Sequence, residues 1–314
     1  MKRIITISIL ILSLIVISTG CTSDVGNVEN EENGEERPIV GVSIPPQESF
    51  IREIAKDKVE VITMIPPGNS EANYQPTPKE LTKLSDANLY FSIEVPAEVN
   101  NILPNIEDFN EDIKIVYLSD IVAEVHPERN FSEDEEHSHD GEDEHEEDDH
   151  DHEGVDPHIW MSPRRSKVMV ETIRDELIKL DSDNKEFYEN NAKEYLSKID
   201  KVDKEIKESV EGASQQSFII YHPSMGYFAD DYGLNMVAIE ESGKEASAKK
   251  LREVIDFAKE NNIKFVFYQE EFDKSQAQTI AKEIDGAAIS IDTLSMDYIE
   301  SMKEIAEKFK EVLQ

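Results

Sequence analysis

The chain has 314 residues, 69 acidic against 32 basic, for a formal net charge of −37. That length suffices for two domains with cores of their own, and the charge argues against nucleic acid, whose phosphates select basic surfaces. With a single cysteine, Cys21, neither an intrachain disulfide nor a cysteine-based zinc site can form.

In chain order, Met1-Lys2-Arg3 is a short basic start and Ile4 to Ile17 an apolar run of signal-peptide length, short for a bilayer span. Ser18-Thr19-Gly20-Cys21 resembles a lipoprotein cleavage box, with Ser18 where leucine is usual. Residues 1–21 thus read as a lipoprotein signal peptide and Cys21 as the lipidated mature N-terminus, anchored to the outer face of the cell membrane. The alternative is an uncleaved N-terminal anchor. Residues 22–37 are polar and acidic, the composition of a disordered tether.

From Pro38 the texture changes. "PIVGVS", "VEVITMI", "ANLYFSI" and "IKIVYL" are short β-rich runs, separated by segments with helical apolar spacing such as Phe50, Ile51, Ile54 and Ala55. This alternation predicts a parallel α/β sheet within residues 38–182. Residues 132–154 interrupt it with acids, five histidines and no apolar period, the pattern of a solvated loop. "SPRRSKVMVETIRDELIKL" then predicts a helix capped by Ser162 with Pro163 at its first position.

Residues 183–212 predict a longer helix, with Tyr188, Ala192, Tyr195, Ile199, Val202 and Ile206 on one face and Gly212 at its end. At about 40 Å it exceeds one small domain and can tie two together. Residues 213–314 repeat the α/β texture: strands at "SFIIY", "LNMVAI", "IKFVFY" and "AAISI", and helices near Gly226–Tyr232, Ser247–Asn261, Lys274–Ile284 and Asp297–Val312. The fold class is α/β: two lobes, each a small parallel sheet flanked by helices, joined by a rigid helix, with a cleft between them. Ligands of open α/β sheets sit beyond the C-terminal strand ends.

Two residues stand at such places, His222 after "SFIIY" and Asp292 after "AAISI"; a third candidate, His158 in "DPHIW", lies between the acidic segment and a helix. Singly, each is as readily structural, an aspartate at a strand end being a common turn former. Together, imidazole and carboxylate donors suit zinc, and also manganese or iron. Tyr221 and Tyr268 read as packing residues, Gly68 as a turn. Neither HExxH, GxSxG nor a glycine-rich nucleotide loop occurs.

Six stretches, in order, resemble the extracellular substrate-binding lipoproteins of zinc/manganese ABC importers, the TroA-like metal receptors: "DKVEVITMIPPGNSEANYQPTPKEL", "DPHIWMSP", "DSDNKEFYENNAKEYLSKID", "YHPSMGYFADDYGL", "SAKKLREVI" and "IDTLSMDYIESM". The likeness covers nearly the whole mature chain. It implies metal bound between the lobes, with His158, His222 and Asp292 as ligands. It further implies an ABC permease as partner, a monomer, and no enzymatic activity. The expected ion is Zn2+, with Mn2+ as alternative.

The chain departs from that pattern at one position. The family carries a histidine ligand two residues before a tyrosine; here Tyr74 is kept and Ala72 occupies the place. Adjacent Glu71 is one candidate substitute, as some zinc-binding members have a glutamate there, the alternative being that it is an exposed loop acid. A loop histidine and Glu240, Glu241, Glu270 or Glu271 are the others. His137, His139, His145, His150 and His152, among many carboxylates, attract cations by field and multivalency without fixing geometry. They read as an auxiliary collecting loop, the alternative being an acidic linker with incidental histidines. Two other functions compete: a surface zinc hydrolase, which needs an open metal position and a base that no motif supplies, and a metal-binding adhesin or buffer.

Overall fold

The structure, a computed structural model, describes residues 37–131, 154–240 and 244–313. The expected signal peptide, Cys21, all of the tether but Arg37, Glu241 and the five histidines at 137, 139, 145, 150 and 152 lie outside the described residues. Among the described residues no helix is long and apolar enough to cross a membrane.

The first half contains β1 (Ile39–Val42), α1 (Pro45–Ala55), β2 (Glu60–Thr63), α2 (Pro78–Leu81), β3 (Leu89–Ser92), α3 (Pro96–Asn101), α4 (Leu103–Phe109), β4 (Lys114–Tyr117), α5 (Leu118–Ala123) and α6 (Pro163–Leu180). After α7 (Lys185–Val210) come β5 (Ser217–Ile220), α8 (Gly226–Tyr232), β6 (Asn235–Ala238), α9 (Ala248–Glu260), β7 (Phe265–Gln269), α10 (Ser275–Glu283), β8 (Ala287–Ile291) and α11 (Tyr298–Leu313). All eight β-rich runs form strands. The pairings among these strands are parallel, and the two sheets share one order, β2-β1-β3-β4 and β6-β5-β7-β8. Each therefore reverses direction beside its first strand, β1 or β5. The C-terminal ends of those strands are the switch points at which such sheets bind ligands.

The helix signals act as their chemistry predicts. The Ser162 hydroxyl accepts the Arg165 N–H at 3.2 Å, with Pro163 at the first position of α6. The six residues expected on one face of α7 are all buried, and Gly212, just past its end, has φ +72°. α7 is 26 residues long, about 39 Å at 1.5 Å per residue. It packs against α1 and α6 of the first half and α11 of the second. One core runs from the first sheet along α7 to Phe218, Phe267 and Phe309. The opposite face of the second sheet packs Ile219 and Val266 against α9 and α10 in a smaller core. Strand alternation thus divides the second sheet between two cores.

Candidate metal centre

Glu71, His158 and His222 converge, each offering a donor atom within 4.8 Å of the others, and all three are buried. They come from three separate loops. Glu71 lies between β2 and α2, where its carbonyl accepts the Ala97 N–H at 2.9 Å. His158 immediately precedes a 3-10 turn, Ile159–Met161. His222 stands two residues beyond β5, at the switch point of the second sheet, with its backbone N–H and C=O both bound by the Gln269 side-chain amide. Phe272 stacks on its ring at 4.4 Å between centroids.

Both imidazoles are oriented by carboxylates. His158 Nδ1 lies 2.7 Å from Asp156 Oδ1, which also accepts the His158 backbone N–H. His222 Nδ1 lies 2.6 Å from Glu240 Oε2. A carboxylate accepts, so each Nδ1 carries the proton and each Nε2 presents its lone pair or a second proton. The two Nε2 atoms lie 3.1 Å apart, and Glu71 Oε1 is 3.3 Å from one and 3.4 Å from the other. Yet neither Glu71 oxygen makes a hydrogen bond of acceptable geometry. Three donor atoms crowded round one point, with the carboxylate left unsatisfied, share a centre. Tetrahedral zinc, with bonds of about 2.0–2.1 Å, sets its ligands about 3.3–3.4 Å apart. An octahedral ion with bonds of about 2.1 Å sets them at about 3.0 Å. Two of the three edges match the first figure.

Electrostatics agree with a cation site. Burial works to raise the Glu71 carboxyl, but the two imidazoles outweigh it and hold it well below the usual carboxylate range. Burial works to lower both histidines. Asp156, and then Glu71, reverse this at His158; Glu240 and Glu71 reverse it at His222 and push it up to about 10.

Of the expected ligands, the structure brings together His158, His222 and Glu71, and leaves Asp292 out of the triangle. Asp292 is exposed and its Oδ1 accepts the Leu294 N–H at 3.0 Å, the turn-forming role. The sheet order explains this: His222 follows β5 and Asp292 follows β8, two strands away, or about 10 Å. Glu271, beyond the intervening β7, has a buried oxygen without a hydrogen-bond partner. Burial, reinforced by the charges of Glu71 and Asp292, raises it to about 7. Glu240 serves His222 from behind rather than as a third donor, and Glu270 bonds Ser290. Tyr221 is buried in the smaller core, with Tyr268 packed against it.

Sequence reasoning did not single out Asp156, Gln269 or Phe272. Asp156 carried a local signal, an aspartate two residues before a histidine across a proline. The other two depend on strand pairing.

Residues 40–312 match the model of the family described as zinc-uptake complex component A, periplasmic, or ZnuA. The high-affinity zinc uptake system protein ZnuA of Bacillus subtilis (strain 168) is 31% identical over 312 residues, covering 96% of this chain and 94% of that protein. The zinc-binding lipoprotein AdcA of Streptococcus pneumoniae (strain ATCC BAA-255 / R6) is 30% identical over 277 residues, 88% of this chain but 52% of AdcA, so the chain spans about half that relative's length. Among solved structures, a zinc-bound deletion mutant of ZnuA superposes with a TM-score of 0.76 at 32% identity, covering 89% of this chain and 99% of that one.

Proposed function

The chain belongs to the ZnuA family of periplasmic zinc-uptake components, and on that footing we propose that it captures zinc between its two sheets and delivers it to an ABC permease in the membrane. The observation that carries this is the triangle of His158 Nε2, His222 Nε2 and Glu71 Oε1, with edges of 3.1, 3.3 and 3.4 Å and no hydrogen bond to satisfy the carboxylate. Two imidazoles and one carboxylate suit zinc, and the edge lengths favour a tetrahedral ion over the octahedral preference of manganese. Glu71 takes the place of the histidine absent at Ala72. Ligand loops at the ends of two sheets suit a carrier, since a small change in their spacing opens the triangle.

Cys21 anchors the mature chain by a lipid on this reading, and the histidines of residues 132–153 collect cations near the site. Titration of the purified protein against a chromophoric zinc chelator tests the capture step. One zinc should bind tightly, and His158→Ala or His222→Ala should each weaken it at least 100-fold, about 3 kcal/mol. Variants that bind as wild type would sink the proposal. Stimulation of the reconstituted permease's ATPase by the zinc-loaded protein tests delivery. Substitution by cobalt separates a carrier from a hydrolase, because a catalytic site exposes an exchangeable water.

A further inference from the structure

Behind the triangle lies a second set of contacts that the three ligands do not use. Asp156 is fully buried, and its two oxygens have different duties. Oδ1 takes both N–H groups of His158, ring and backbone. Oδ2 takes Nη1 of Arg129 at 3.0 Å. With both oxygens tied, the carboxylate cannot rotate without breaking a charge-assisted bond.

Arg129 is itself seated against the other half of the molecule. Its Nε lies 3.5 Å from Asp230 Oδ2, and its backbone N–H donates to the Tyr227 hydroxyl at 3.0 Å. Both partners belong to α8, which begins four residues after His222. The first residue of α8 is Gly226, and a Cβ there would stand 2.5 Å from both Arg129 Cζ and Asp156 Oδ2. Only glycine lets the guanidinium–carboxylate pair lie against the start of that helix. The chain of contacts His158–Asp156–Arg129–α8 therefore ties one metal-binding ring to the helix that follows the loop carrying the other.

We propose that Arg129 is a positioning residue of the metal centre: it fixes Asp156, and through it the ring of His158, using α8 as its reference. The two imidazoles are thereby set in one frame although they come from opposite sheets. This inference rests on the metal-capture reading above, and its test is separable from that reading. Outer-shell partners of metal-binding histidines typically contribute 10–100-fold to affinity. Arg129 acts one bond further out, so the lower end applies.

The experiment is cobalt and zinc titration of the whole protein, with the visible spectrum of the cobalt form as the readout of ligand geometry. Arg129→Gln should weaken zinc binding about tenfold and alter the cobalt spectrum without changing the number of ions bound, and Arg129→Lys should recover most of both. Gly226→Ala, which pushes the pair from the other side, should weaken binding in the same sense. Wild-type affinity and an unaltered spectrum in Arg129→Gln would overturn the proposal, as would a loss that lysine does not lessen. Melting of the metal-free variants establishes which are folded. Should Arg129→Gln fail to fold, wild-type behaviour of both Arg129→Lys and Gly226→Ala would overturn the proposal equally. A wild-type protein that takes up neither ion would remove the capture reading itself, a different failure from a neutral Arg129→Gln.

Discussion

His158 and His222 meet Nε2 to Nε2 at 3.1 Å while each keeps its Nδ1 proton against a carboxylate, Asp156 for one and Glu240 for the other. Two lone pairs cannot face each other at that distance unless a proton or a cation lies between them. Glu240 and Glu71 outweigh burial and hold a proton on His222, pushing it up to about 10. Zinc must displace that proton.

The sign of the pH dependence follows. Protonation of His222 competes with metal wherever the pH lies below about 10, so apparent zinc affinity should rise with pH throughout pH 6–9. The slope should approach tenfold per pH unit, with about one proton released per zinc. An ordinary imidazole would instead level off above about 6.5. Calorimetry in buffers of different ionisation enthalpy counts the protons. Trp160, the sole tryptophan, has its ring 5.1 Å from that of His158 and offers a fluorescence readout of the same event. A plateau reached by pH 7 would show that Glu240 and Glu71 do not hold a proton on His222.

Glu71→Gln keeps the shape of the side chain and removes its charge. It should weaken zinc binding at least 100-fold, about 3 kcal/mol, because the ion then lacks its only anionic donor in the triangle. Asp292→Asn should cost less than tenfold, since Asp292 is exposed and two strands from His222. Chelator competition on both variants decides this. A larger loss at Asp292 would mean that the loaded state draws the β8 end toward the ion.

The uneven legibility of these residues has a physical cause. Strands such as Leu89–Ser92 and Phe265–Gln269 are runs of aromatic and apolar residues that a sheet interior selects, so they are visible without knowing their neighbours. The buried stripe of α7 is visible for the same reason, because periodicity is local. His222 is visible by its place after a strand. Its partner Glu240 is not, because the pairing depends on register. Ile220 faces Ala238 across β5 and β6, so the residues two further on, His222 and Glu240, come together. Asp292 shows the converse: a strand end is legible, but whether that strand adjoins β5 or stands two away is a property of topology. Glu71 was legible as a candidate for the place of the histidine missing at Ala72. Its burial was not, because the loop 64–77 has no periodic pattern to declare an inner face.

Glu98 is a buried carboxyl outside the triangle, surrounded by Ser43, Tyr90 and Ser92 where β1 and β3 end. Its Oε2 accepts the Ile93 N–H at 3.2 Å, and its Oε1 has no hydrogen-bond partner. Burial raises it from 4.5 to about 7. The folded state therefore holds this proton more tightly than the unfolded chain does. The stability it brings is fully present below pH 4.5 and is lost as the pH rises through about 7. The span of these two values corresponds to roughly 3 kcal/mol. Glu98→Gln keeps the acceptor for Ile93 and cannot ionise. Relative to wild type, the metal-free variant should melt several degrees higher at pH 8 than its relative position at pH 5. Equal differences at the two pH values would show that Glu98 ionises freely in the fold.

The ends of the acidic, histidine-bearing segment are held together independently of what lies between them. The Phe131 N–H donates to the Gly154 carbonyl at 2.9 Å, Asn130 and Val155 form an antiparallel bridge, and the Asp156 N–H donates to the Arg129 carbonyl at 2.7 Å. Strand ends paired in this way can be joined by a two-residue turn such as Asn-Gly. Replacing residues 132–153 by that turn should therefore leave the fold, Asp156 and His158 in place. The variant should bind one zinc with affinity within threefold of the full chain while losing the weaker additional cations. If the segment collects metal, zinc uptake should slow only at low external zinc, where capture rather than transfer limits the rate. A tenfold loss at the tight site would instead mean that one of the five histidines enters the coordination sphere, and that Glu71 alone does not replace the missing ligand at Ala72.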